Sequence, residues 1–270
     1  MRADFLLLVG AICLSACVPA PRGSSNAAKA PGLVVDHVPI AVRSQDDARR
    51  AYEALGFRLK PGRAHENGLR NAFAKFVDRS YLELITPERG ATDGLTAKYV
   101  AFLARQEGGA FLSLRADSLD LVARALEASA TRGTLNRYGA FNTFSFADSS
   151  LAWMFLIEYP EPIADAPELL DHPNTAIGIE SVRIGGPRAE AFERLAAIVP
   201  GGIGGVQRSD DPRPLVSEIV VRVRDIHAVR TAVLRGSGRA LAIDRLVDGA
   251  FVTVPPDLAQ GITLVFVQRG

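Results

Sequence analysis

Four histidines, His37, His65, His172 and His227, are the first residues to question in this 270-residue chain. His37 stands apart, because it sits in the middle of an apolar run, Val34 to Ala41. An imidazole in such a run is either a strand histidine satisfied by a hydrogen bond or a group placed there to move a proton or hold a metal. Glu83 raises the same question in Tyr81-Leu82-Glu83-Leu84-Ile85. Burying that acid without a partner is costly. Alternation along a strand puts Tyr81 and Ile85 on its face. Those bulky neighbours favour an inward acid; an outward one is simply solvated.

Other candidates carry two readings each. Arg70 and Asn71 lie in "GRAHENGLRNAFAKF" and have the donors to bind an acidic or carbonyl ligand, with His65 at the mouth. The same stretch reads as a polar hairpin around Asn67-Gly68. His172, in "LLDHPNTA", is a ligand or part of a turn built by Asp171, Pro173 and Asn174. Trp153 and Phe155 alternate on one strand, lining a pocket or filling the core, and Glu158 follows them. His227 reads as a surface residue. There is no nucleophile elbow and no phosphate-binding loop, and "GGIGG", Gly201 to Gly205, reads as a turn.

The elements that must position these groups recur. A strand, a polar turn and an amphipathic helix appear four times, at "VDHVPIAVRSQDDARRAYEALGF", "GAFLSLRADSLDLVARALEASA", "IESVRIGGPRAEAFERLAAIV" and "VSEIVVRVRDIHAVRTAVLRGSG". Ser44, Asp117, Pro187 and Asp225 open the helices. Short apolar strands follow in units one, two and four. Unit three has only "GIGGVQ" before unit four begins. Each unit is too small to bury its own sheet, so units must pair.

Bulk composition excludes some classes. The net charge is +1, with 31 Lys and Arg of which four are Lys, and no basic cluster marks a nucleic-acid surface. The N-terminus reads as a leader: an apolar run from Phe5 to Leu14, too short to span a bilayer, precedes small residues and Cys17. Asp4 is an unusual acid in that position. The two cysteines are Cys13 and Cys17. Residues 18–32 are rich in Pro, Ala, Gly and Ser and read as a flexible tether.

Two resemblances sharpen this. Leu14-Ser15-Ala16-Cys17 resembles the lipobox of bacterial lipoproteins. That implies a signal peptide over 1–16, lipid (diacylglycerol, with palmitate) on Cys17, and a tether over 17–32. It also implies loss of Cys13 and acylation of Cys17, which would leave no free thiol and no disulfide. Val18 after the cysteine implies the outer membrane, with the protein facing the periplasm. The "DHV" opening with "LGF" and "YLELI" resembles the glyoxalase-like group of the vicinal oxygen chelate superfamily, best over Leu33 to Pro87 and more loosely over Ala110 to Tyr159. The resemblance implies an α+β fold of repeated β-α-β-β-β modules paired into open mixed-sheet barrels, with one module pair over 33–160 and a second, partly degenerate pair over 161–270. It also implies a cavity whose metal ligands stand on the first and last strand of each module.

Carried over by motif, His37 and Glu83 take two such positions, with His172 as a third metal ligand. On this reading Glu83 and Glu158 are expected to be the catalytic carboxylates, and Arg70, Asn71 and Trp153 to touch substrate. Aligning Arg115 with Arg43 puts Gly109 where His37 stands; Ser181 replaces the histidine in unit three, and "ITLVFV" carries no acid. The ligand set is therefore broken. The resemblance implies a lyase, isomerase or dioxygenase using Zn, Mn, Ni or Fe on a small vicinal-oxygen substrate. The alternative is a lipoprotein that sequesters a small molecule without metal. Both are partnered by a small molecule and a membrane, and neither by nucleic acid.

Overall fold

Ser44 begins the first helix as its alternation-breaking residue: its hydroxyl accepts from the Asp47 amide at 3.2 Å, and Asp46 and Asp47 place charge at the positive end. The computed structural model describes residues 32–213 and 216–270, so the leader, Cys17 and the tether up to residue 31 lie outside the described residues. The first unit runs β1 (Leu33–Ala41), α1 (Gln45–Ala54), β2 (Lys60–Ala64), β3 (Leu69–Lys75) and β4 (Tyr81–Pro87). Helix α2 (Gly94–Leu103) and the two-residue β5 (Gly108–Gly109) lead into β6 (Leu112–Arg115), α3 (Leu119–Ala128), β7 (Gly133–Arg137), β8 (Asn142–Phe146) and β9 (Met154–Glu158). The short α4 (Pro167–Leu170) precedes β10 (Ala176–Ile184), α5 (Pro187–Ala196), β11 (Ile203–Gly204) and β12 (Val206–Arg208). The chain ends with β13 (Val216–Val223), α6 (Ile226–Ser237), β14 (Asp244–Leu246), β15 (Gly249–Val254) and β16 (Thr263–Arg269).

The sixteen strands form one mixed sheet. Units one and two pair through the antiparallel β1 and β6, giving the order β2-β3-β4-β1-β6-β9-β8-β7. Units three and four pair through β10 and β13, giving β12-β10-β13-β16-β15-β14. Within units one, two and four the first strand lies parallel to the last. That is the open α+β arrangement of repeated β-α-β-β-β modules expected above. Unit three keeps only β11 and β12 after its helix, where "GIGGVQ" is too short for a full meander. Ser118, not Asp117, caps α3, accepting from the Leu121 amide.

One face of the sheet is the apolar core. Val35, Val38, Ile40, Leu82, Leu84, Leu112, Leu114 and Leu156 are buried there against Ala48 and Tyr52 of α1 and Val122 and Leu126 of α3. Residues of opposite parity point to the other face. At one end of that second face lies α2, absent from the sequence reading, with Tyr99 and Phe102 packed on Ala41, Leu69 and Ile85. A capping box between Asp93 and Thr96 starts this helix.

Candidate functional site

The second face gathers its polar groups in one row. His37 on β1 pairs with Tyr81 on β4 and with Ser113 on β6; Tyr81 pairs with Lys75 on β3, and Ser113 with Phe155 on β9. The His37 ring stacks on Tyr81 at 4.2 Å between centroids and meets Phe155 edge-on at 5.5 Å. Glu83, two residues along β4 from Tyr81, shares its face. The expected inward orientation of that acid rests on the same alternation.

A bulge supplies what alternation does not. Val34 opposes Arg115 and Val35 opposes Leu114, but His37 opposes Ser113, so Asp36 and His37 together stand against one residue. Such a bulge re-aims side chains. Asp36 and His37 consequently reach the same groups, although neighbours in a regular strand point apart. The Asp36 carboxylate is fully buried and accepts three hydrogen bonds: from His37 Nδ1 at 2.7 Å, Arg115 Nη1 at 3.1 Å and the Tyr159 hydroxyl at 3.1 Å. The Tyr159 phenol is pushed well above its ordinary range, by burial first and then by the Asp36 charge, so it stays a donor.

With Nδ1 engaged, His37 presents Nε2 to Glu83 Oε2 at 3.6 Å. The other carboxylate oxygen, Oε1, accepts from Asn71 Nδ2 at 2.9 Å, and Asn71 Nδ2 also lies 3.3 Å from His65 Nε2. Both side chains thus have one end anchored and one end free, and the free ends face each other. His37 is 3% exposed and the Glu83 side chain 12%. A second polar route leads outward, since His65 borders a cavity of about 500 Å³ lined by Arg63 to Asn67. A cavity of about 400 Å³ between the end of α3 and α5 lies elsewhere and lines none of these groups.

The other sequence candidates fall away from this centre. Glu158 shares the face of Met154 and Leu156 and binds Asn142 Nδ2 at 2.9 Å, so it points into the opposite side of β9 from Phe155 and Tyr159. His172 has both ring nitrogens occupied: Nδ1 accepts from the Arg58 amide at 3.0 Å and Nε2 donates to the Lys75 carbonyl at 2.7 Å. Burial pushes its pKa below the ordinary histidine range. Arg70 lies on the helix side of β3 and pairs with Glu88 at 3.0 Å and Asp46 at 3.5 Å. Trp153 belongs to the core, with Nε1 donating to the Ser150 carbonyl. Asn71 is at the centre, positioning Glu83. Gly109 pairs with Ile40 through β5, and Ser113, not Gly109, stands across from His37. His227 is exposed on α6.

A divalent metal asks for more than this centre offers. Catalytic sites of that kind hold the ion with three protein ligands and leave a position open. His37 and Glu83 are two donors; Asp36 is committed to His37, Arg115 and Tyr159. Across the sheet unit two sets Ser113 opposite His37 and Phe155 beside Ser113, which adds no imidazole or carboxylate to the row. No group of three His, Cys, Asp or Glu among the described residues is placed to share an ion. The donor set therefore does not fit a resident divalent metal. The residues sequence reasoning missed are Asp36, Lys75, Ser113 and Tyr159, and Tyr81 was read only as a neighbour of Glu83. Only the adjacency of Asp36 to His37 was a visible signal, and it was masked by the alternation rule.

Solved structures resemble this arrangement. A hypothetical protein from Staphylococcus aureus superposes with a TM-score of 0.57 at 10% identity, over 87% of this chain and 99% of its own. The 2,3-dioxygenase LapB from Pseudomonas sp. KL28 gives 0.59 at 12%, over 89% and 92%. Homoprotocatechuate 2,3-dioxygenase from Arthrobacter globiformis gives 0.55 at 13%, over 89% and 81%. At such identities the likeness is one of fold. No functionally curated protein matches the sequence. The glyoxalase-like domain profile matches residues 35–199, from the first strand through the third unit's helix, and this chain belongs to the glyoxalase-like domain family.

Proposed function

We propose that this chain is a glyoxalase-like enzyme of the lyase or isomerase kind, acting on a small molecule with adjacent oxygens at the His37–Glu83 centre. One observation carries the reading: Nε2 and Oε2 face each other at 3.6 Å, each backed by its own anchoring hydrogen bond. Two acceptors so placed need a proton on one of them or a ligand between them. An imidazole and a carboxylate that share one proton can take a hydrogen from a carbon beside a carbonyl and return it to the neighbouring atom. Asp36 keeps Nδ1 protonated and the ring fixed, and Asn71 fixes the Glu83 carboxylate by donating to Oε1. Ring walls at Tyr81 and Phe155, with α2 beyond, keep water from the exchange.

The test is solvent exchange. Hydroxyacetone and related vicinal-oxygen compounds are incubated in deuterated water with the wild type, His37→Ala and Glu83→Gln, each with chelator and with added Zn, Mn, Ni or Fe. Exchange of the carbon-bound hydrogen that either substitution lowers by at least about 100-fold, and that chelator leaves unchanged, supports the reading. Stoichiometric metal that both substitutions abolish, with exchange dependent on it, replaces it with the metal-dependent enzyme, dioxygenases included.

The alternative is a metal-free protein that sequesters a small molecule. The near-complete burial of His37 between two aromatic rings favours it. Binding without exchange in the same assay selects it. For location we propose a lipoprotein tethered through lipid on Cys17 to the outer membrane, supported by the lipobox and the tether composition. Stable anchoring takes more than one acyl chain. Mass spectrometry of the N-terminal peptide from membrane fractions tests it; an unmodified peptide starting at Met1 rules it out.

A further inference from the structure

We infer that the molecule bound at this centre is a small carboxylic acid, and that Lys75 receives its carboxylate. The inference rests on the reading of His37 and Glu83 as the reacting pair and adds the class of ligand.

Lys75 ends the row of the second face. Its ammonium lies 3.3 Å from the centroid of Tyr81, the ring that His37 stacks on from the neighbouring strand, and 5.1 Å from Phe73. A ring face is a weak partner for a cation. An ammonium has three donors to satisfy. Among the described residues no carboxylate lies within 4 Å of this one, whereas Arg115 has Asp36, Arg70 has Asp46 and Glu88, and Lys60 has Asp165. Burial depresses the Lys75 pKa; Asp165, Asp36 and Glu83 act in the opposite sense from a distance, and Lys60 adds to the depression. A half-buried cation without an ion-pair partner is costly to hold, and a bound carboxylate relieves that cost.

The backbone holds the residue in place for this. His172 donates to the Lys75 carbonyl at 2.7 Å, fixing the end of β3. At the other side of His37, the Ser113 hydroxyl is fully buried with no hydrogen-bond partner among the described residues. A hydroxy or oxo acid seated beside the Tyr81 ring has a partner for its carboxylate at Lys75. The neutral vicinal diol of the same skeleton has no charge to pair with that ammonium.

The experiment compares matched probes on the full chain by calorimetry: lactate with propane-1,2-diol, and 3,4-dihydroxybenzoate with catechol. Wild type, Lys75→Met, Lys75→Arg and His37→Ala are measured, with thermal melting to establish that each folds. At least one acid is expected to bind wild type at least about tenfold more tightly than its neutral partner. Lys75→Met abolishes that preference without weakening the neutral partner further, and Lys75→Arg restores part of it. Equal affinity for acid and neutral partner, a preference that survives in Lys75→Met, or no binding of either acid overturns the inference. Failure of the parent reading looks different: the acid preference follows Lys75, but His37→Ala leaves all affinities unchanged.

Discussion

Replacing Asp36 by Asn tests whether the centre is organised around a buried anion. The side chain keeps its shape and loses its charge. In the native protein the carboxylate is fully buried and accepts from His37, Arg115 and Tyr159. An asparagine offers one acceptor oxygen and turns two N–H donors toward groups that are themselves donors. Removing one partner of a buried ion pair costs about 3–5 kcal/mol. Arg115 keeps 22% of its side chain exposed and can recruit water, which brings the expected loss to about 2–4 kcal/mol. For a chain of this size each kcal/mol lowers Tm by about 2–4 °C, so Asp36→Asn should melt about 5–15 °C below wild type. Chemical denaturation of Asp36→Asn, Arg115→Met and the double variant gives the coupling directly; at least about 1 kcal/mol is expected. Imidazole nitrogen shifts report the second consequence, because His37 in Asp36→Asn no longer has Nδ1 pinned as the protonated nitrogen. A stability change under about 0.5 kcal/mol together with no coupling would refute the account of Asp36 as the hub.

Two further outcomes follow from packing and burial. His172 is held neutral, so the unfolded chain takes its proton near pH 6.5 while the folded chain resists until lower pH. The unfolded state then binds more protons, and stability is present above about pH 6.5 and lost as pH falls below it. His172→Asn should flatten that dependence in urea titrations between pH 5 and 7.5; an unchanged slope contradicts the assignment. Gly236, on α6, has no room for a side chain: a Cβ there would lie 2.1 Å from the Ala54 carbonyl oxygen and 2.5 Å from the Ala54 Cα, both backbone. Gly236→Ala gains about 1 kcal/mol of helix propensity but forces α1 and α6 apart, so a net loss of about 1–3 kcal/mol is expected. A variant more stable than wild type would show that the two helices can separate freely.

The repeat was legible because it rests on local rules. Apolar alternation marked β3, β4, β8, β9, β15 and β16, and Ser44 and Asp225 marked helix starts through capping chemistry that needs only nearby residues. The glyoxalase-like resemblance was legible in two motifs, one in the strand that carries His37 and one in the strand that carries Glu83. Helix α2 was not. Its apolar residues surround it rather than forming a stripe: Tyr99 and Phe102 are buried with Thr96, while Leu95, Ala97 and Ala101 are exposed.

For the site, the sequence by itself determined that an imidazole and an acid would sit on two buried strands, because alternation assigns a residue to a face wherever the strand is regular. It could not assign Asp36, because a one-residue bulge reverses the face of its neighbour, and that bulge exists only through the pairing of β1 with β6. Nor could it separate Glu158 from Glu83. Both lie in apolar strands, and only the register against neighbouring strands puts Glu83 beside His37 and Glu158 on the far side of the sheet. His172 read as a ligand while its partners, Arg58 and the Lys75 carbonyl, are 114 and 97 residues away along the chain. Tertiary structure decided which polar groups meet, because strand pairing brings distant segments within 5 Å of each other and sequence spacing carries no record of that distance.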